Sequence, residues 1–236
     1  MKFLPPLRTI RSSCLAALAA IAVPTLPAVT VFIDFGGTNA TGNWNGISDV
    51  AAGSVGDAID SMGDTTGISV AITSRFSGTN TNGTTSATAP YPSFATGDSF
   101  FGHADEAFGG QPITASSTVE FTGLTIGVPY DFTFYASRTG VGDNRDTRYT
   151  LTGAAAGQFV ELDAANNVEN SVSISGTLPD ATGRITLVVS EGAANTNSAG
   201  FFYLGATEIN FDPIPEPAAP VFLIGVLGLV ALRRRR

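Results

Sequence analysis

From Val29 to Asp212 the apolar residues of this chain recur at alternate positions in short runs, and no stretch sustains the 3.6-residue period of a long amphipathic helix. That pattern constrains the fold more than any other feature, because a period of two puts successive side chains on opposite faces of a strand. Gly, Asn, Asp and Pro clusters separate the runs, as turns between strands require. Candidate strands are 29–35 (VTVFIDF), 55–61, 67–73, 117–122, 129–136, 147–152, 157–162, 170–176, 183–190 and 201–211. Val119, Phe121, Phe132, Phe134, Ile174, Leu187 and Val189 fall on one alternating set and form the expected buried face. Met62-Gly63-Asp64 suits the hairpin connection between the second and third strands. The polar segment 74–98 is expected as a long exposed loop that Pro90-Tyr91-Pro92 stiffens on its return, and 100–110 as the place for a short helical turn. The fold expected is all-β, an antiparallel β-sandwich.

Charge separates the chain into three parts. The body 29–212 holds five arginines, no lysine and 19 of the 20 acidic residues, a net −14, while both ends are basic. A body this acidic has no electrostatic footprint for nucleic acid. Cys14 is the single cysteine, which excludes an intramolecular disulfide, and one histidine leaves no His/Cys metal cluster. Residues 1–28 read as a secretory signal peptide for the Sec machinery: Lys2, Arg8 and Arg11 precede the apolar run Cys14 to Val23, followed by Pro24, Pro27 and Ala28. Residues 213–236 carry Pro215-Glu216-Pro217, the apolar stretch 218–232 and Arg233, Arg234, Arg235 and Arg236. Fifteen apolar residues make about 22 Å of helix, a short transmembrane segment whose flanking arginines stay cytoplasmic and leave the body outside.

That tail resembles the PEP-CTERM sorting signal of Gram-negative bacteria. The resemblance makes Pro215, Glu216 and Pro217 the processing motif and an exosortase at the inner membrane the partner. It implies an exported precursor, held by its C-terminal helix, that ends in the cell envelope or an exopolysaccharide matrix. The body has its own likeness. IDFGG, SMGDTTGISVAIT, PYDFTFYASR, DTRYTLTG, LDAANN and FFYLGATEI resemble, in this order, phrases of secreted domains with a galactose-binding-like jelly roll. This implies a jelly-roll sandwich and association with polysaccharide.

The candidate ligand residues are Arg138, Arg145 and Arg148, in a loop between two expected strands, and Trp44. Arginine binds carboxylates in a fork and suits uronic acids; the bland reading is that these arginines pair with Asp143, Asp146 or other acids to fix their own loop. Trp44 offers a flat apolar face for a sugar ring, or covers one end of the sandwich as core. Asp34, Asp163, Asn166, Asn167 and Glu208 are the candidate oxygen ligands of a structural Ca²⁺, against their reading as solvated or turn-forming residues. No catalytic constellation is assembled: there is no Gly-x-Ser-x-Gly elbow, His103 has no spaced partners, and the many acids single out no pair. The sequence thus points to a secreted non-catalytic envelope or matrix protein associated with exopolysaccharide. Its alternatives are a carbohydrate-binding module with a defined sugar site and a glycan-active hydrolase.

Overall fold

The computed structural model describes residues 27–37 and 40–214. The sorting motif Pro215, Glu216 and Pro217, the apolar stretch 218–232, the terminal arginines and the signal segment through residue 26 lie outside the described residues. Among the described residues no helix is long and apolar enough to cross a membrane.

Two antiparallel sheets form the sandwich. One has the order β11-β8-β14-β1-β2, built from β1 (Val29–Phe35), β2 (Trp44–Ile47), β8 (Tyr130–Tyr135), β11 (Val172–Thr177) and β14 (Ala206–Phe211). The other has the order β10-β9-β12-β7-β4-β3, from β3 (Ser54–Val55), β4 (Ser69–Ser74), β7 (Ser116–Thr122), β9 (Asp146–Thr152), β10 (Gln158–Asp163) and β12 (Ile185–Glu191). The pair β1–β2 is parallel, the one departure from the antiparallel rule among the described ladders. The alternating set does what its period requires: Val119, Phe121, Leu187 and Val189 meet Phe132, Phe134 and Ile174 in one buried cluster. Rings join the two sheets directly, with Phe134 stacked on Tyr149 at 4.7 Å and Phe121 edge-on to Phe132 at 5.0 Å. Burial of such rings is the main source of stability in a domain without disulfides.

A third, three-stranded sheet of order β13-β6-β5 lies at one end of the chain's pairing scheme, formed by β5 (Gly78–Asn80), β6 (Ser99–His103) and β13 (Phe201–Leu204). It corrects three expectations. The run 201–211 is two strands rather than one, broken at Gly205, whose N–H donates to Tyr135 O and whose carbonyl accepts from Phe35 N. Residues 99–103 are strand, not a helical turn. The segment 74–98 is not an exposed loop: it contributes β5 and a single helical turn, α1 (Ser93–Thr96), and buries Phe76, Ser77, Asn80, Thr84, Ala95 and Thr96. Its polar residues are satisfied by neighbouring backbone, as when Asn80 Nδ2 donates to Ser137 O and Thr96 Oγ1 to Thr84 O, so their polarity does not keep them in water. The expected strand 55–61 shrinks to Ser54–Val55, and its remainder is a turn closed on Met62-Gly63-Asp64, with Asp60 N bonded to Asp64 O and Gly63 at φ +91°.

That segment also roofs the outer face of the five-stranded sheet. Tyr91 and Phe94 pack edge-on to Trp44 at 5.6 and 5.5 Å, Trp44 stacks on Phe32 at 4.8 Å, and the Tyr91 hydroxyl donates to Glu208 at 2.9 Å.

Candidate functional site

Alternation along β13 divides its side chains between two environments. Phe202 and Leu204 enter the main core, while Phe201 and Tyr203 face the other way. On β6 the same division sends Phe100 into the core and Phe101 to the face of Phe201 and Tyr203. Gly102 faces the Phe202 ring so closely that a Cβ there would lie 2.0 Å from it, which is why the strand carries glycine at this point. The result is an aromatic face on the small sheet, with ring centroids 5.5 Å apart for Phe101–Phe201 and 6.3 Å for Phe201–Tyr203.

This face is the floor of a groove of about 560 Å³. Exposed Phe108 stands at its lip, edge-on to Phe201 at 4.9 Å. Thr79, Asn80, Thr81 and Asn82 supply one polar side, and Arg138 and Arg145 from the β8–β9 loop supply the other. The two sides are tied together: Thr139 N and Oγ1 both donate to Asn82 O, at 2.7 and 2.9 Å. A second, smaller notch of about 160 Å³, lined by Ala154, Ala155, Ala156 and Leu178 among others, carries no charged group.

The two groove arginines differ. Arg145 is paired and braced, with Nε on Asp143 Oδ1 at 2.9 Å, Nη1 on the Tyr203 hydroxyl at 2.8 Å and Cζ 4.8 Å above the Phe201 ring. Burial pushes the Asp143 carboxyl up, but hydrogen bonds from Arg145 and Asn197 outweigh it and hold the group below its ordinary range. Burial likewise raises the Tyr203 phenol against the nearby arginines, so it stays a neutral donor and acceptor at physiological pH. Arg138 has no ion pair among the described residues; its Nη1 donates to Thr139 O at 2.7 Å.

The structure separates the other candidates. Arg148 lies on β9 away from the groove lining, bonded to Glu161 at 2.8 Å and over the Phe159 ring at 4.4 Å. Trp44 is half-buried core on β2, not a groove residue. Asp163, Asn166 and Asn167 are loop clamps: Asp163 Oδ1 accepts from Arg145 N and Ala165 N, Asn166 Oδ1 from Gly140 N, and Asn167 Oδ1 from Asn170 N. Glu208 accepts from Tyr91 and Asn210 on the roofed face. Asp34 is fully buried with neither carboxylate oxygen hydrogen-bonded, and burial, reinforced by the Asp98 charge, pushes its carboxyl up to about 7. Four of the five candidate calcium ligands therefore bond to separate partners and Asp34 is buried apart from them, and among the described residues no three His, Cys, Asp or Glu side chains group as a metal site. His103 is buried behind the aromatic face, 5.8 Å from Phe201, and does not line the groove.

The groove floor was not legible as a set in the sequence. Phe101 and Phe108 read there as rings that either face a sugar or pack as core, and Phe201 and Tyr203 as part of the strand 201–211; the pairing of β6 with β13 brings Phe101 beside Phe201 and Tyr203. The unbroken apolar run FFYL was the available signal, since apolar residues on both faces of a strand require two covers.

No protein-family model matches this chain, and no curated protein matches it. Among solved structures it is similar to the carbohydrate-binding module TmCBM61, determined with beta-1,4-galactotriose, at 14% identity over 61% of this chain and 83% of that one, with a TM-score of 0.28. It is also similar to the ANXUR1 extracellular domain from Arabidopsis thaliana, at 12% identity over 80% of this chain and 51% of that one, TM-score 0.42. A third is the CBM22-1–GH10 part of Clostridium thermocellum endo-1,4-beta-D-xylanase 10B, complexed with xylohexaose, at 14% identity over 51% and 26% of the two chains, TM-score 0.27. Similarity at this level carries no ligand across, and the groove stands on its own geometry.

Proposed function

We propose that this protein is a non-catalytic glycan-binding β-sandwich that works outside the cytoplasm and holds polysaccharide in the groove of its three-stranded sheet. The observation that carries the reading is the groove itself, in which half-buried Phe101 and exposed Phe108 present aromatic surface over the buried rings of Phe201 and Tyr203, with amide and guanidinium donors at its sides. Sugar rings present an apolar C–H face and a polar edge, and a ring-lined floor with hydrogen-bonding walls complements both. None of the residues lining the groove is Asp, Glu or His, which speaks against acid–base or nucleophilic chemistry there and against the hydrolase reading. Arg145 serves as a brace, since its bonds to Asp143 and Tyr203 fix the phenol at the floor.

The route outside belongs to the same proposal: export by the signal segment, then recognition of Pro215, Glu216 and Pro217 by an exosortase, with a galactose-binding-like jelly roll as the delivered body. A mature protein whose intact mass still includes residues 218–236 would replace the sorting step with a permanent anchor.

Binding of the purified full chain to a polysaccharide panel tests the groove. Phe101→Ala, which strips a half-buried ring from the floor, is expected to weaken binding roughly tenfold, about 1.4 kcal/mol. Unchanged affinity in that variant, or no binding to any glycan by the parent chain, would overturn the assignment.

A further inference from the structure

Of the five arginines in this acidic body, three are neutralised: Arg145 by Asp143, Arg148 by Glu161 and Arg184 by Asp180 and Glu120. Arg75 is exposed and bonds to Phe76 O and the Gln111 side chain. Arg138 is the exception at the groove. It is half-buried, lines the cavity, and spends one guanidinium nitrogen on a neighbouring carbonyl, with no carboxylate within ion-pairing distance among the described residues. Its backbone is pinned on both sides, the N–H donating to Ala164 O at 2.7 Å and the carbonyl accepting from Asn166 N at 2.8 Å, so the side chain leaves a fixed point. With 19 acids in the body, internal neutralisation was the default outcome. A partly desolvated guanidinium left unpaired beside an aromatic floor is matched by an anion that arrives with the ligand.

Resting on the glycan-groove reading above, we infer that the groove selects a uronic acid unit of a polysaccharide and that Arg138 receives its carboxylate. The sugar ring lies against the accessible Phe101 and Phe108 rings and its C6 carboxylate takes the free donors of Arg138. Arg145 does not fill this role, because its charge is already neutralised by Asp143 and its Nε and Nη1 are bonded to Asp143 and Tyr203.

The test compares the full chain, in mild detergent, with matched pairs of oligosaccharides by calorimetry: trimers of galacturonate, glucuronate, mannuronate and guluronate, each beside its carboxyl-reduced and its methyl-esterified counterpart. At least one acidic trimer is expected to bind roughly 10- to 100-fold more tightly than both neutral counterparts. Arg138→Met removes that difference, so that within the variant the acidic trimer binds no more tightly than its own neutral counterparts, and Arg138→Lys restores part of it. Methyl esterification removes the charge without altering the protein, so the comparison stands even where a variant fails to fold. Equal affinity within every pair, or a preference that survives Arg138→Met, overturns the uronate assignment and leaves the groove reading intact. Failure of all acidic and neutral trimers to bind overturns both.

Discussion

Asp34 is the residue at which burial and charge are in open conflict. It sits on β1 between Ala206 of β14 and Gly46 of β2, beside Asp98 at the end of the roof formed by the 91–98 segment, and among the described residues neither oxygen has a hydrogen bond. Its carboxyl is raised to about 7 in the fold from 3.8 outside it. The sign follows: the neutral acid is the favoured folded form, so its stabilising effect is complete below about pH 4 and is lost as the pH rises to about 7. Asp34→Asn is therefore expected to raise the thermal midpoint at pH 8 by several degrees more than at pH 5. Equal gains at the two pH values, measured by calorimetry, would show a carboxyl that is ionised throughout. Sequence alone placed Asp34 among the oxygen ligands of a Ca²⁺ because carboxylates suit that cation. The burial that instead favours its neutral form depends on a roof more than 50 residues away along the chain.

At the scale of elements, the roof itself is testable through Trp44. Since Trp44 stacks on Phe32 and receives Tyr91 and Phe94, Trp44→Ala should destabilise the fold by about 3 kcal/mol and leave glycan affinity unchanged. A fall in affinity at temperatures where the variant is folded would return Trp44 to the binding surface. Gly102→Ala belongs to the same scale: a Cβ 2.0 Å from the Phe202 ring must displace either the ring or the β6 backbone, a loss of about 1–3 kcal/mol in chemical denaturation. The long strands were legible because alternation and one-sided burial coincide in them, as in β7, whose pattern is strictly buried at every second residue. β5, β6 and the roof were not, for a common reason. Polar sequences such as GTN and mixed ones such as SFFGH acquire their partners from distant segments, and nothing local records that pairing. The two groove arginines were legible as a loop cluster; which of them was free depended on where Asp143 points.

At the scale of the whole molecule, the body's charge of −14 becomes informative only beside the inventory of ion pairs. Repulsion among so many acids is relieved by few cations, and an acidic polymer approaching such a surface is steered away from most of it. The uronate ligand inferred here would then meet one attractive point in a repellent surround, which favours slow association and a short contact region over broad adhesion. Association rates for a uronate trimer should accordingly rise when salt screens the body, the reverse of the usual trend for a cationic binding surface. A rate that falls with salt would indicate that the groove's local potential dominates.

The division of β13 has a further consequence. A strand whose even residues are core and whose odd residues are groove floor cannot open one environment without disturbing the other. It lies beneath the groove, yet it belongs to the same cooperative unit as the sandwich, with Tyr203 N bonded to Thr147 Oγ1 and the Tyr149 hydroxyl donating to Tyr203 O. In amide hydrogen exchange the floor should be among the slowest surfaces of the protein, releasing deuterium only when the whole domain unfolds, while the arginine-bearing wall exchanges through local opening. A ligand would thus find a floor that is already rigid, and would need to order only one wall.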